Sequence, residues 1–240
     1  YKTYYAPNNA VLVVVGDFET SKLLELIKKY YAHIPAQVPP PPVITVEPPQ
    51  LGRKEAIIRK EAQTPSFMVA YHGPDCTSPD FFALSILQKP LLEGESSRLY
   101  RRLVREEQLA LSVSGSIEEK IDPFLFFIEV KPRPGVDLAR IEKIIDEELT
   151  KIIQDGLTET EYEKALNIVR SSFYSSLQTN SGKANMLGAM EMLYGNYDRL
   201  FTLIDSYLTV KREDIPSIAR KYFNDLNKTA GYLIPEGGQK

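Results

Sequence analysis

Apolar positions along this chain fall into short runs near the start and into helical stripes towards the end. Residues 10–15 form a continuous apolar run rich in valine, set between the turn signal Asn8-Asn9 and the breaker Gly16-Asp17. Such a run predicts a strand buried on both faces. Thr20 or Ser21 then caps a predicted helix, in which Leu23, Leu24, Ile27 and Tyr31 recur at helical spacing. One strand and one helix cannot enclose a core. This opening unit therefore reads as the last strand and helix of a domain that begins upstream, and the start on Tyr1 without an initiator Met carries the same expectation. Seven of the chain's 17 prolines follow within fifteen positions: Pro35, Pro39, Pro40, Pro41, Pro42, Pro48 and Pro49. Consecutive prolines fix φ and favour an extended polyproline II segment, a stiff strap between two domains. A ligand for a proline-recognition module is the other reading, and it rests on composition alone.

From Leu51 onward the pattern predicts a complete domain. Residues 54–60 and 67–72 are strand candidates. Pro79-Asp80 opens a helix through Phe82, Leu84, Ile86 and Leu87, which Pro90 is expected to kink or end. After Gly94, Ser96 or Ser97 caps a second helix carrying Leu99 and Leu103. Residues 109–117 and 124–131 make two more strands around the turn Asp122-Pro123, and Pro132, Pro134 and Gly135 close the second. Leu138, Ile141, Ile144, Ile145, Leu149, Ile152 and Ile153 then form one apolar stripe on a long helix. Gly156 ends that helix, and Thr158 with Glu161 makes a capping box for the next, which runs to about Leu177. Looser helical stretches cover 184–193 and 198–208, a short helix with Pro216 in its first turn follows Asp214, and 229–234 is a final strand. Strands with helices both inserted and grouped afterwards predict an α+β fold, a mixed or antiparallel sheet covered by helices. The expected division is 1–34 as the end of a truncated domain, 35–50 as linker and 51–240 as the second domain.

Composition narrows the chemistry. Hydrophobic residues at 43% and charged residues at 25% are the balance of a soluble globular protein. A net charge of −3, from 29 basic and 32 acidic residues, argues against a nucleic-acid binder, and no apolar run is long enough to span a membrane. The single cysteine, Cys76, excludes a disulfide framework and a thiolate zinc cluster. The two histidines, His33 and His72, are 39 positions apart, so no helical zinc pair exists. His72 near Cys76 lacks an orienting partner and reads as a strand-end residue. Glu118-Glu119 and Asp146-Glu147-Glu148 could hold a hard cation, but at this spacing they read as solvated surface. Gly94 before Ser96-Ser97 could seat an anion at a helix start, with no P-loop lysine behind it. The strongest charge feature is Arg98, Arg101, Arg102 and Arg105, three, four and seven apart on one side of a predicted helix. They are either a salt-bridge strip or a peptide grip, since arginine offers a fixed fork of donors to carbonyls or a carboxylate. Tyr100 is expected to face elsewhere and to pack.

Several segments, in order, resemble the pitrilysin/insulinase-type zinc metallopeptidases. Tyr4-Tyr5-Ala6-Pro7-Asn8-Asn9, the run 11–15 and Gly16-Asp17-Phe18 are similar to the signature that closes the first of their two homologous domains. His72-Gly73-Pro74, Leu91-Leu92-Glu93-Gly94 and Ser96-Ser97-Arg98-Leu99-Tyr100 resemble the opening part of the second. Gly156-Leu157-Thr158 with Glu161 and Ala165 resembles its long helix pair, and Leu233-Ile234-Pro235 its end. The resemblance implies a metallopeptidase half-domain of the mitochondrial-processing-peptidase type. In that family the first domain binds zinc through H-x-x-E-H and a distant Glu, and the second closes over it around unfolded peptides. No such motif occurs here, so the resemblance implies the non-catalytic C-terminal region of a zinc endopeptidase: no catalytic or metal residue, no cofactor of its own, inactive alone, with zinc in the full-length protein. Its implied partners are an N-terminal zinc-binding domain or a homologous subunit, and unfolded peptide; self-association as a homodimer would also cover the incomplete first unit. The alternative is a catalytically inactive structural or binding member of the same superfamily. An unrelated regulatory domain whose arginine helix binds an acidic partner stands as a third reading. In many family members an Arg and a Tyr of the second domain bind the substrate backbone. Arg105 stands at the Arg position and Leu111 at the Tyr position, after a segment about one residue short. Peptidases of this type occur in cytosol, periplasm and organelles, so the resemblance leaves the compartment unknown; a soluble protein of the periplasm or cytoplasm is the expectation.

Overall fold

The computed structural model describes residues 1 and 3–236. Its contacts divide the chain into two units, one gathering Tyr1–Pro48 with Ser172–Thr202 and the other Pro49–Ser171 with the residues from Leu203 on.

The second unit contains a five-stranded mixed sheet. Its strands are β1 (Lys54–Lys60), β2 (Ser66–His72), β3 (Ala110–Ile117), β4 (Leu125–Pro132) and β5 (Lys228–Pro235), in the spatial order β1-β5-β2-β4-β3. The β1–β5 pair is parallel and the other three pairs are antiparallel. The helices in chain order are α1 (Thr20–Tyr31), α2 (Pro79–Leu92), α3 (Arg98–Tyr100), α4 (Leu138–Asp155), α5 (Glu159–Ser176), α6 (Asn180–Tyr194), α7 (Leu203–Leu208) and α8 (Ile215–Tyr222). None is long and apolar enough to cross a membrane.

Alternation along the strands decides where the core lies. Phe67, Val69 and Tyr71 of β2 stand opposite Val130, Ile128 and Phe126 of β4, and all six are buried. Phe223, just past α8, meets both Tyr71 and Phe126 edge-on, at centroid distances of 5.1 and 4.9 Å. The opposite face carries Ile58, Met68, Glu129 and Lys131, all exposed, with Ala70 buried and Phe127 half-buried among them, so the sheet is covered on one side and partly open on the other. A residue with any side chain is barred from position 115 of β3, where a Cβ would lie 2.2 Å from the Phe127 carbonyl oxygen. Helix ends follow the local signals. The Asp137 side chain accepts from Ala139 N at 3.0 Å, and Gly156 closes α4 at φ 75°. Thr158 and Glu161 form the expected box, at 3.2 and 2.9 Å.

Three expectations are corrected. Of the kink or end expected at Pro90, the end does not occur: α2 continues to Leu92, ten of its fourteen residues are buried, and that packing outweighs one lost backbone bond in the last turn. Helix α1 starts at Thr20 behind Glu19, and Ser21 donates its hydroxyl to Glu19 at 2.8 Å instead of capping. Residues 10–15 belong to no strand. The reason is visible in β5. A 3₁₀ turn, Asp225–Asn227, leads into β5, and a 3₁₀ turn, Pro7–Asn9, leads into residues 10–15. Strand β5 has β1 and β2 on either side, whereas residues 10–15 have no strand partner among the described residues. Backbone groups without a ladder stay in solvent. In the same unit the Asn8 side chain imitates a peptide group and pins the linker, donating to Gln37 O at 2.9 Å and accepting from Gln37 N at 3.1 Å.

One buried charge ties the sheet to α4. Lys228, at the start of β5, is 3% exposed, and its ammonium lies 2.7 Å from both Asp146 oxygens and 2.8 Å from Glu142 Oε1. Glu142 also accepts from Tyr232 at 2.5 Å and from Arg53 at 2.9 Å. Burial opposes ionisation of Glu142, yet Lys228, Tyr232 and Arg53 together hold its carboxyl below the ordinary range. For Asp146 burial wins over Lys228 and its carboxyl is pushed up. Removing Lys228 would take the cation from Glu142, whose side chain is 11% exposed, while Asp146, 46% exposed, would still meet solvent. Lys228→Met is expected to cost about 3–5 kcal/mol of unfolding free energy in urea titrations. A loss below about 1 kcal/mol would show that the cluster contributes no more than exposed pairs do.

Candidate functional site

The arginine segment folds as two different kinds of turn. Helix α3 passes directly into a π-helical turn, Arg101–Glu106, where Glu107 N donates to Arg102 O at 3.0 Å. The turn ends at Gln108, a non-glycine residue at φ 52°, and Leu109 N closes onto Leu103 O at 2.8 Å. Leu99 and Leu103 are fully buried and fix the inner side of the segment. Such wide turns lie disproportionately at functional sites. Ser97 occupies the cap position of α3 without a side-chain cap bond, and its buried hydroxyl has no hydrogen-bond partner among the described residues. Ser96 instead accepts from Lys164.

The four arginines divide into two inward and two outward groups. Arg98 grips Glu161 with two parallel bonds of 2.7 and 2.6 Å and donates to Gly156 O at 3.2 Å, so it joins the end of α4 to the start of α5. Arg102 donates to Glu148 at 2.9 Å, to Glu147, and to Glu107 at 3.3 Å. Glu148 is nearly buried. Burial would raise its pKa, but Lys151 and Arg102 outweigh that and keep it below the usual carboxylate range. These two arginines are structural ties. Arg101 meets Glu106 at 3.2 Å with both side chains more than half exposed. Arg105 pairs with Glu95, and its guanidinium carbon stands 5.9 Å from the centre of the Tyr100 ring. Tyr100 therefore does not face away from the arginines, as expected from α-helical geometry, but lies against one of them. Leu111 sits in a bulge of the edge strand β3, at the register shift between Ala110 and Ser112, and is exposed. The structure thus presents Arg105 to solvent on a π turn that leads into the rim of the sheet.

The other candidates resolve into structure. His72 Nδ1 is 3.2 Å from Asn227 Oδ1, whose amide donates to His72 O, and Cys76 is fully buried. Asp146, Glu147 and Glu148 are spent on Lys228, Arg102 and Lys151, and Glu118 meets Lys120 at 3.0 Å. Around Gly94, Ser97 N donates to Gly94 O at 3.1 Å and Ser96 accepts from Lys164, so nothing there points to an anion. Among the described residues, no group of three or more His, Cys, Asp and Glu side chains is placed to hold a metal ion.

Glu161 supplies a pH test of the inward set. Burial would raise its pKa, but the Arg98 fork and the Thr158 backbone N–H prevail and hold it below the usual carboxylate range. A depressed carboxyl contributes stability above its ordinary pKa and loses it as pH falls through the folded value. Unfolding free energy measured from neutral pH into acid is expected to decline more steeply for the natural protein than for Glu161→Gln. Parallel curves would contradict this.

Comparison with known proteins places the fold and the segment. A family model described as the peptidase M16 inactive domain matches residues 1–169. The zinc protease PqqE of Helicobacter pylori is 28% identical over 239 residues, which cover 98% of this chain and 53% of PqqE. The uncharacterized zinc protease YmxG of Bacillus subtilis is 23% identical, over 92% of this chain and 53% of its own length. The chain thus spans about half the length of the curated relatives it matches. Among solved structures, a protease from Helicobacter pylori superposes with a TM-score of 0.85 at 26% identity, covering 92% of this chain and 54% of that one. A peptidase M16 inactive domain from Pseudomonas fluorescens superposes with a TM-score of 0.79 at 20% identity, over 94% and 53%. With a match running from Tyr1 through the arginine segment and into α5, the chain belongs to the family of peptidase M16 inactive domains.

Proposed function

We propose that this chain is the metal-free half of a zinc endopeptidase and that it encloses and grips peptide for a zinc-bearing N-terminal region or a homologous partner subunit. In this reading residues 1–34 end the zinc-bearing domain, 35–50 form the strap, and 51–240 form the gripping domain. Zinc, when bound in the other half, supplies the activated water. The residues of this chain bind and orient.

The observation that carries the reading is the exposed Arg105. Two neighbouring arginines, Arg98 and Arg102, are consumed by carboxylates of their own chain, while Arg105 is 57% exposed on a turn that feeds directly into the bulged edge strand β3. An edge strand leaves backbone groups unpaired, which suits an extended peptide, and a guanidinium beside it adds charge-assisted bonds to peptide carbonyls. The partly open face of the sheet, with Ile58 and Met68 exposed beside Glu129 and Lys131, suits the inner wall of a chamber that takes varied sequences. The need for another half is supported by the first unit. Residues 10–15 lack a sheet, and Val43, Ile44 and Val46 in the linker are a second β-branched segment left exposed.

In the full-length protein, Arg105→Ala is expected to weaken peptide binding by about 10- to 100-fold, the loss of a hydrogen bond to a charged group. The thermal unfolding midpoint should stay within a few degrees of the natural protein's, because the Arg105–Glu95 pair is exposed. Unchanged peptide affinity would exclude Arg105 from the substrate contact.

A further inference from the structure

Arg105 is held by a carboxylate of its own chain, and that partner limits which acceptors it can take. Helix α2 ends at Leu92, and Gly94 at φ 79° reverses the chain so that Glu95 reaches the Arg105 guanidinium. The Tyr100 ring lies on the guanidinium, its centre 5.9 Å from Cζ, so the cation is bounded by an acid and by an aromatic surface. The Arg105 and Glu95 side chains are 57% and 69% exposed, so solvent screens the pair and a third group can join it. Arg102 and Arg140 already occupy Glu107, and Arg101 occupies Glu106, which leaves Glu95 as the acid assigned to Arg105.

Resting on the reading of Arg105 as a substrate contact, we propose that Glu95 is a specificity-determining residue of that contact. It makes Arg105 accept the neutral backbone carbonyls of a continuous peptide in preference to the carboxylate of a peptide end. A guanidinium carries five donors in a planar fork, so one acceptor does not exhaust it. A peptide carbonyl adds a second acceptor without adding charge. A terminal carboxylate adds a second negative charge beside Glu95, and like charges on one cation repel. Without Glu95, the same cation would favour the carboxylate, because charge-assisted pairs are the stronger ones. The acid thus biases the grip towards the interior of a chain, which is what an endopeptidase requires.

The test uses the full-length protein and two uncleaved peptides of one sequence, one ending in a free carboxylate and one in a carboxamide. The natural protein is expected to bind the amide at least as well as the acid. In Glu95→Gln, and equally in Glu95→Ala, the ratio of acid to amide affinity should rise by about two- to fivefold, with the amide nearly unchanged. The rise should shrink in high salt and vanish when Arg105→Ala is added. Equal effects on both peptides, or no effect, would overturn the role of Glu95. If Arg105→Ala alone leaves both peptides bound as before, the underlying reading of Arg105 fails instead.

Discussion

A strand exists in this protein only where its backbone N–H and C=O groups find another strand. Two segments with similar approaches show the force of that constraint. Residues 10–15 and β5 are each reached through a 3₁₀ turn, but only β5 is flanked, by β1 on one side and β2 on the other. Valine-rich sequence supplies the propensity in the first case and cannot supply the partner. The second unit is therefore complete around its sheet, with one face built over by Phe223 and the helices. The first unit is left with apolar chain outside any strand, and the linker repeats the pattern at Val43, Ile44 and Val46. The chain spans about half the length of PqqE and YmxG.

Charge is sorted by burial in the same economical way. Lys228, Arg98 and Arg102 face inward and are saturated by carboxylates of α4 and α5, where each bond also keeps an acid from being stranded. Arg101 and Arg105 face outward, and their pairs with Glu106 and Glu95 are screened. A change of helix type lies between these two sets. The π turn places Arg105 against Tyr100, five residues earlier, a contact that an ordinary α-helix would turn away by about 140°.

Periodicity and capping chemistry made most of the second unit legible in the sequence. The stripe on α4, the Thr158–Glu161 box, the Gly156 stop and all five of its strands follow from local signals. Pairing did not follow, because β1 and β5 meet across the length of the domain and nothing local at Lys54 points to Thr229. Nothing local singles out Lys228 either, and only the acids of α4 make it a buried cation. Within the site, Arg105 was reachable through a family resemblance. Its partners were not: Glu95 lies across a turn reversed by Gly94, and Tyr100 is hidden by the assumption of a regular helix. Those are long-range and conformational facts, and a sequence pattern read with a fixed period cannot carry them.

The central claim is that this chain supplies the walls and the grip while the cutting chemistry is held by another region. The most direct measurement is hydrolysis of an internally quenched unfolded peptide by the purified chain, alone and after mixing with the separately purified zinc-bearing half. The account predicts no turnover from either half alone and turnover on mixing. Metal-dependent cleavage by this chain by itself would contradict it.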